Sequence, residues 1–174
     1  MTRRRDGEPQ VLVLMGVAGS GKTTTGRQLA ADLGWRFYDA DDFHSAANIE
    51  KMRRGLPLND DDRRPWLEAL RALVQSCLAR GQRAIIACSA LRASYRKYLL
   101  LDERVRLVYL KGDYALIQAR LQQRQGHFLK PELLDSQFAT LEEPTEGLTL
   151  DVAAAPEELA KTIRERLGIK AHKV

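Results

Sequence analysis

The run Gly16-Val17-Ala18-Gly19-Ser20-Gly21-Lys22-Thr23 has the G-x-x-x-x-G-K-T spacing that grips polyphosphates. Gly16, Gly19 and Gly21 let the backbone turn consecutive N–H groups inward, which makes a concavity for an anion. Lys22 supplies a positive charge for the β- and γ-phosphates, and the Thr23 hydroxyl is placed to ligate Mg²⁺. An apolar run, residues 11–15, reads as a buried strand leading into this loop. Residues 24–33, beginning at Thr24, have helical character and aim a helix N-terminus at the same phosphates. The strand before and the helix after make the motif specific. The chain is expected to bind a nucleoside triphosphate.

Two more groups have spacing that matters. Asp39 and Asp41 flank Ala40 at the end of a short strand, Arg36-Phe37-Tyr38. In an extended segment, residues two apart point to the same side, so both carboxylates are expected to face the phosphate loop. Arg120 and Arg124 are four apart and so share one helix face, and no carboxylate lies between Asp113 and Glu132 to neutralise them. Asp42 reads as surface.

The elements that hold these residues alternate along the chain. Asp60-Asp61-Asp62 precedes Pro65, which suits the first turn of a helix carrying Trp66, Leu67, Leu70, Leu73, Val74, Cys77 and Leu78 up to Gly81. Residues 84–88 and 105–110 are apolar strands, with a short helix over 95–101 between them. Helices are expected over 115–123 and around Leu133 to Leu141, then a strand over 148–152 and a closing helix ended by Gly168. Buried strands separated by helices imply a parallel sheet covered on both faces. Two segments fall outside this layering. Residues 42–64, with a short helix over 48–54, read as an acceptor-binding insertion. Residues 124–130 read as a mobile lid, whose closure would exclude water and let an acceptor hydroxyl compete for the phosphoryl group.

Composition narrows the class. The chain has 174 residues, 44% of them hydrophobic and 29% charged, which suits one soluble domain. No apolar run approaches the ~20 residues that cross a bilayer, and the basic, polar first ten residues do not read as a secretory signal. Cys77 and Cys88 lack metal-ligand spacing and read as reduced core thiols of a cytoplasmic protein. The net charge of +5 comes partly from terminal Arg3-Arg4-Arg5 and Lys170/Lys173, and no nucleic-acid recognition motif accompanies it.

Several further segments carry a resemblance. They include Asp39-Ala40-Asp41 with His44, Asn48-Ile49-Glu50-Lys51-Met52, Pro57-Leu58-Asn59-Asp60-Asp61-Asp62-Arg63 and Pro65-Trp66-Leu67. Cys88-Ser89-Ala90-Leu91 with Tyr95-Arg96, Tyr109-Leu110-Lys111-Gly112, and Arg120 through Arg124 to Gly126-His127-Phe128 continue the series. Gln137-Phe138 with Thr140-Leu141-Glu142 and Pro144 completes it. Over residues 11–167 the chain resembles the gluconate kinases of the small phosphate-loop type, relatives of shikimate and nucleoside monophosphate kinases. Ser45 departs from the proline usual after that histidine, and a serine there is expected to cap the short helix that follows.

That resemblance implies a three-layer α/β kinase fold, a doubly wound parallel five-stranded sheet in the order 2-3-1-4-5, forming one domain. It implies ATP with Mg²⁺, D-gluconate as acceptor, 6-phosphogluconate as product, and a possible homodimer. Nucleotide contacts would come from residues 16–24 and from Arg120 against the adenine. Asp39 with Thr23 would hold the metal and its hydration shell. Lys22, Asp41 and Arg124 would carry the chemistry, Asp41 orienting or deprotonating the acceptor hydroxyl and Arg124 reaching the transferring phosphate. His44, Asn48, Lys51, Arg63, Arg96 and His127 would join Asp41 around the polyhydroxy acid, arginine suiting a carboxylate through its planar fork. Another acceptor of the same fold class (shikimate, a different sugar acid, a nucleoside monophosphate) is the near alternative. A noncatalytic nucleotide switch is the distant one.

Overall fold

The computed structural model describes residues 7–124 and 131–171. Five parallel strands, β1 (Val11–Met15), β2 (Arg36–Asp39), β3 (Ala84–Ala87), β4 (Val105–Lys111) and β5 (Leu148–Asp151), form one sheet in the order β2-β3-β1-β4-β5. All five residues of β1 are buried because helices cover both faces of the sheet. Alternate side chains therefore enter separate cores. Val11, Val13 and Met15 meet Trp66, Leu70 and Val74 of helix α3 (Asp60–Arg80). Leu12 and Leu14 meet Leu29 and Leu33 of α1 (Lys22–Leu33) and Ile163 of α7 (Pro156–Arg166). Each fully buried aliphatic side chain of this kind contributes roughly 1.5–3 kcal/mol over an exposed one. β1 lies between β3 and β4, where the chain order reverses, and such a reversal opens a ligand crevice at the carboxyl ends of the strands.

Between β2 and α3 come a 3-10 turn, Ala40–Phe43, and α2 (Ala46–Arg53). The Ser45 side chain caps α2, accepting the Asn48 backbone N–H at 3.1 Å, as its sequence position predicts. α4 (Ala93–Arg96), α5 (Tyr114–Gln123) and α6 (Pro131–Thr140) complete the fold. The helix expected over 95–101 is shorter and earlier than its apolar pattern predicts.

Helix α3 corrects one expectation. It begins at Asp60, and Pro65 lies inside it rather than at its first turn. The reason is local: the Asn59 side chain accepts the Asp62 N–H at 2.8 Å while the Asp62 carboxylate accepts the Asn59 N–H at 3.0 Å. This reciprocal capping box fixes the start. Proline in the second turn forfeits only the bond to the carbonyl of the exposed Asp61, which water can satisfy. Cys77 and Cys88 are free and buried, and burial pushes the Cys88 thiol up to about 12, so it stays protonated. Among the described residues no helix is long and apolar enough to cross a membrane.

Candidate active site

The phosphate loop leaves β1 and folds back over the start of α1. A Cβ on Gly16 would lie 2.6 Å from Ser20 Oγ and 2.8 Å from the Leu110 carbonyl oxygen, so only glycine fits this approach. Gly21 sits at the N-cap of α1 in the left-handed region (φ 90°) with no capping side chain, and no acidic residue occupies the first turn. The N–H groups of that turn are left for an external anion. Lys22 Nζ donates to the Gly16 and Val17 carbonyls at 2.9 and 3.0 Å. Burial pushes its pKa down, opposed by the carboxylates of Asp41 and Asp39, while the Arg124 guanidinium adds to the lowering. The charges of Asp41, Asp39 and Arg124 are therefore near enough to bear on Lys22. Ser20 Oγ and Thr25 Oγ1 are buried without partners, as a cradle built for a polyphosphate would leave them.

Beside the loop is a cleft of about 240 Å³ lined by Gly19, Gly21, Thr24, Arg120, Arg124, Pro156 and Leu159. Arg120 reaches the far wall and donates to the Val152 carbonyl. The two arginines singled out by spacing thus flank the phosphate loop, although Arg124 caps α5 with an extended backbone instead of continuing the helix. His127 and Gly126, with the lid expected over 124–130, lie outside the described residues except for Arg124.

At the end of β2 the expected extended geometry is replaced. Asp41 is the second residue of the 3-10 turn, and Asp39 caps it, its Oδ1 accepting the Asp41 N–H at 3.0 Å. An aspartate side chain readily closes such a turn. The Thr23 hydroxyl donates to the other Asp39 oxygen at 3.3 Å. One carboxylate therefore ties the phosphate loop to the aspartate turn. The Asp41 residue is exposed on this turn, yet loss of hydration beside the loop and then the Asp39 charge push its pKa up, against the pull of Lys22. Asp42 is exposed, as expected.

The acceptor-side residues separate into a group and two outliers. His44 stacks on Trp66 with ring centroids 4.3 Å apart, and Asn48 Nδ2 lies 3.4 Å from His44 Nδ1. Burial and then the Arg63 charge lower the His44 pKa to about 4, so the imidazole is neutral at pH 7 and pairs with hydroxyls as donor or acceptor. Arg63 Nη1 donates to the Tyr95 hydroxyl at 3.1 Å, and that hydroxyl donates to Asp60 at 2.8 Å. Lys51 is instead held by the Asp62 carboxylate at 2.8 Å. Arg96 is buried, its Nη1 donating to the Ala90 carbonyl at 2.9 Å and to that of Leu91 at 3.3 Å. Ala90 is the one non-glycine residue with positive φ (45°) among the described residues, so Arg96 holds a strained turn. Arg96 Nε has no partner.

Spacing alone missed three contributors. Trp66 reads as core but donates through Nε1 to the Ala40 carbonyl at 2.7 Å, fixing the aspartate turn against α3. Tyr95 orients Arg63. Gln137 accepts the Ala18 N–H at 2.6 Å, from a helix 119 residues away along the chain. Their signal lay in the Pro65-Trp66-Leu67, Tyr95-Arg96 and Gln137-Phe138 segments, which carry the resemblance without giving these three residues a role.

The AAA domain family matches residues 11–144. The probable gluconokinase of Mus musculus is 46% identical over 155 residues, covering 79% of this chain and 84% of that protein. Among solved structures, a sugar kinase from Janibacter is 42% identical with a TM-score of 0.85, covering 92% of this chain and 95% of the other. A gluconokinase from Sinorhizobium meliloti is 35% identical with a TM-score of 0.81, covering 95% and 94%. With a phosphate loop between its first strand and first helix, and relatives this similar over most of its length, the chain belongs to the gluconokinase family.

Proposed function

We propose that this protein transfers the γ-phosphoryl group of ATP to the 6-hydroxyl of D-gluconate, giving 6-phosphogluconate and ADP. The observation that carries this reading is the position of Asp41. Asp39 ties the 3-10 turn that carries Asp41 to Thr23 of the phosphate loop, while three residues further on His44 stacks on Trp66 beside Asn48. A carboxylate between a phosphate cradle and a hydroxyl-binding pocket suits transfer between the two. In the step, the acceptor oxygen bonds to phosphorus as the bond to the β-phosphate oxygen breaks. The hydroxyl proton passes to Asp41, and ADP leaves.

The residues fit their assigned ligands. Residues 16–24 cradle the phosphates and Arg120 borders the base-side cleft. Thr23 and Asp39 offer two adjacent oxygens, and no cluster of three or more metal-ligating side chains occurs among the described residues. That donor set suits Mg²⁺, which keeps waters and phosphate oxygens in its shell. Held by Thr23 and Asp39, the ion would neutralise phosphate charge during transfer. Lys22 and Arg124 stabilise charge on the transferring group. Neutral His44 and Asn48 bind hydroxyls, and Arg63, which also pairs with Asp60 at 3.9 Å, supplies a cation for the carboxylate. Lys51 and Arg96 act by holding the pocket walls, through Asp62 and the Ala90 turn. One domain working in the cytoplasm is sufficient for this chemistry.

Phosphorus NMR of the protein with ATP, Mg²⁺ and gluconate tests the proposal. A new phosphomonoester resonance coupled to the C6 protons should grow in step with ADP. Release of inorganic phosphate alone would mean hydrolysis, and the proposal would fail.

A further inference from the structure

We infer that Gln137 is a further catalytic residue, whose side-chain amide donates a hydrogen bond to the transferring phosphoryl group. The inference rests on the phosphoryl transfer proposed above. Gln137 lies on α6, half-buried, and its Oε1 accepts the Ala18 backbone N–H at 2.6 Å. Because that backbone group can only donate, the amide oxygen must face it. The orientation of the amide is thereby fixed, and its NH₂ projects away from the loop N–H. Among the described residues Gln137 Nε2 has no partner. An oriented and unspent donor stands next to the phosphate loop.

Its location favours the reacting group over the base or the ribose. Ala18 directly follows Gly16 and Val17, whose carbonyls hold the Lys22 ammonium. Gln137 thus joins the loop at its lysine-bearing end. Helix α6 is braced on both sides of the crevice. On the nucleotide side the Tyr114 hydroxyl of α5 donates to Asp135 at 2.6 Å, and the Tyr114 and Phe138 rings pack at 5.4 Å. On the acceptor side the Glu142 carboxylate accepts the Ala93 N–H, and the Glu142 N–H donates to the Leu91 carbonyl, both at 2.8 Å. The braces lead to the arginine helix in one direction and to the Arg96 turn in the other, which holds Gln137 against the phosphate loop at Ala18. As the acceptor P–O bond forms and the bond to ADP breaks, charge spreads over three equatorial oxygens. A preorganised N–H donor there strengthens in the transition state.

Two variants separate this role from simple anchoring of the loop. Gln137→Glu keeps an oxygen for Ala18 but replaces the donor with an anion. Gln137→Ala removes both. Donation to the phosphoryl group predicts a kcat loss of roughly 10²-fold for Gln137→Ala and a larger loss for Gln137→Glu, with the ADP dissociation constant unchanged in both. Anchoring alone predicts the opposite order, with Gln137→Glu near wild type, and that order would overturn the inference. Wild-type rates in both variants, or a loss of ADP affinity that accompanies the loss of rate, would overturn it as well. ADP binding also reports folding, since a collapsed loop cannot bind. Failure of the wild-type protein to phosphorylate gluconate would instead strike the function proposed above.

Discussion

Lys22→Ala should lower kcat for gluconate phosphorylation by roughly 10²-fold or more, the loss typical when one preorganised transition-state charge contact is removed. The lysine is fixed in advance: its ammonium rests on the Gly16 and Val17 carbonyls and faces both Asp39 and Asp41. Binding a triphosphate exchanges those weak partners for phosphate oxygens, so little reorganisation is needed. The folded state should survive the substitution, because water can satisfy the two loop carbonyls that the ammonium leaves. Steady-state kinetics beside a thermal melt checks both halves. An unchanged kcat with an intact fold would remove Lys22 from the chemistry.

Asp41→Asn should separate binding from turnover. The substitution keeps the size and the backbone N–H that Asp39 caps, so the 3-10 turn should persist. What disappears is the carboxylate, whose pKa burial and the Asp39 charge push up, making it a better proton acceptor than an ordinary aspartate. We expect kcat to fall by roughly 10²-fold, the lower range for loss of a positioned acid or base. The ATP dissociation constant measured without acceptor should stay at the wild-type value, because the cradle is untouched. Calorimetry gives the second quantity. Near-normal turnover in this variant would show that another group faces the acceptor.

How far the sequence reveals this site depends on how local each determinant is. The strand Val11–Met15, the glycine-rich loop and the helix behind it are specified by neighbouring residues, and they appear where their pattern predicts. The Ser45 cap is equally local. The start of α3 was also written locally, in Asn59-x-x-Asp62, but the more conspicuous Pro65 masks it. Asp41 is different. Its turn is closed by Asp39 and held by Trp66 against the Ala40 carbonyl, and that contact spans 26 residues, so strand periodicity cannot reveal it. Lys51 and Arg96 carry the charge that a sugar acid needs, yet their partners come from Asp62 and from the Ala90 turn. Charge type is visible in a sequence; whether the charge is already spent depends on tertiary contacts. Gln137 reverses this case, an uncharged residue whose donor stays available because its oxygen is already committed.

The most direct measurement is kcat/KM from ADP release across gluconate, other sugar acids, shikimate and AMP. In the function proposed here, neutral His44 with Asn48 and Arg63 receives a polyol carrying one negative charge. Gluconate should therefore exceed shikimate and AMP by a wide margin, and ADP release without acceptor should be near background. Faster turnover with shikimate or AMP than with gluconate would contradict it.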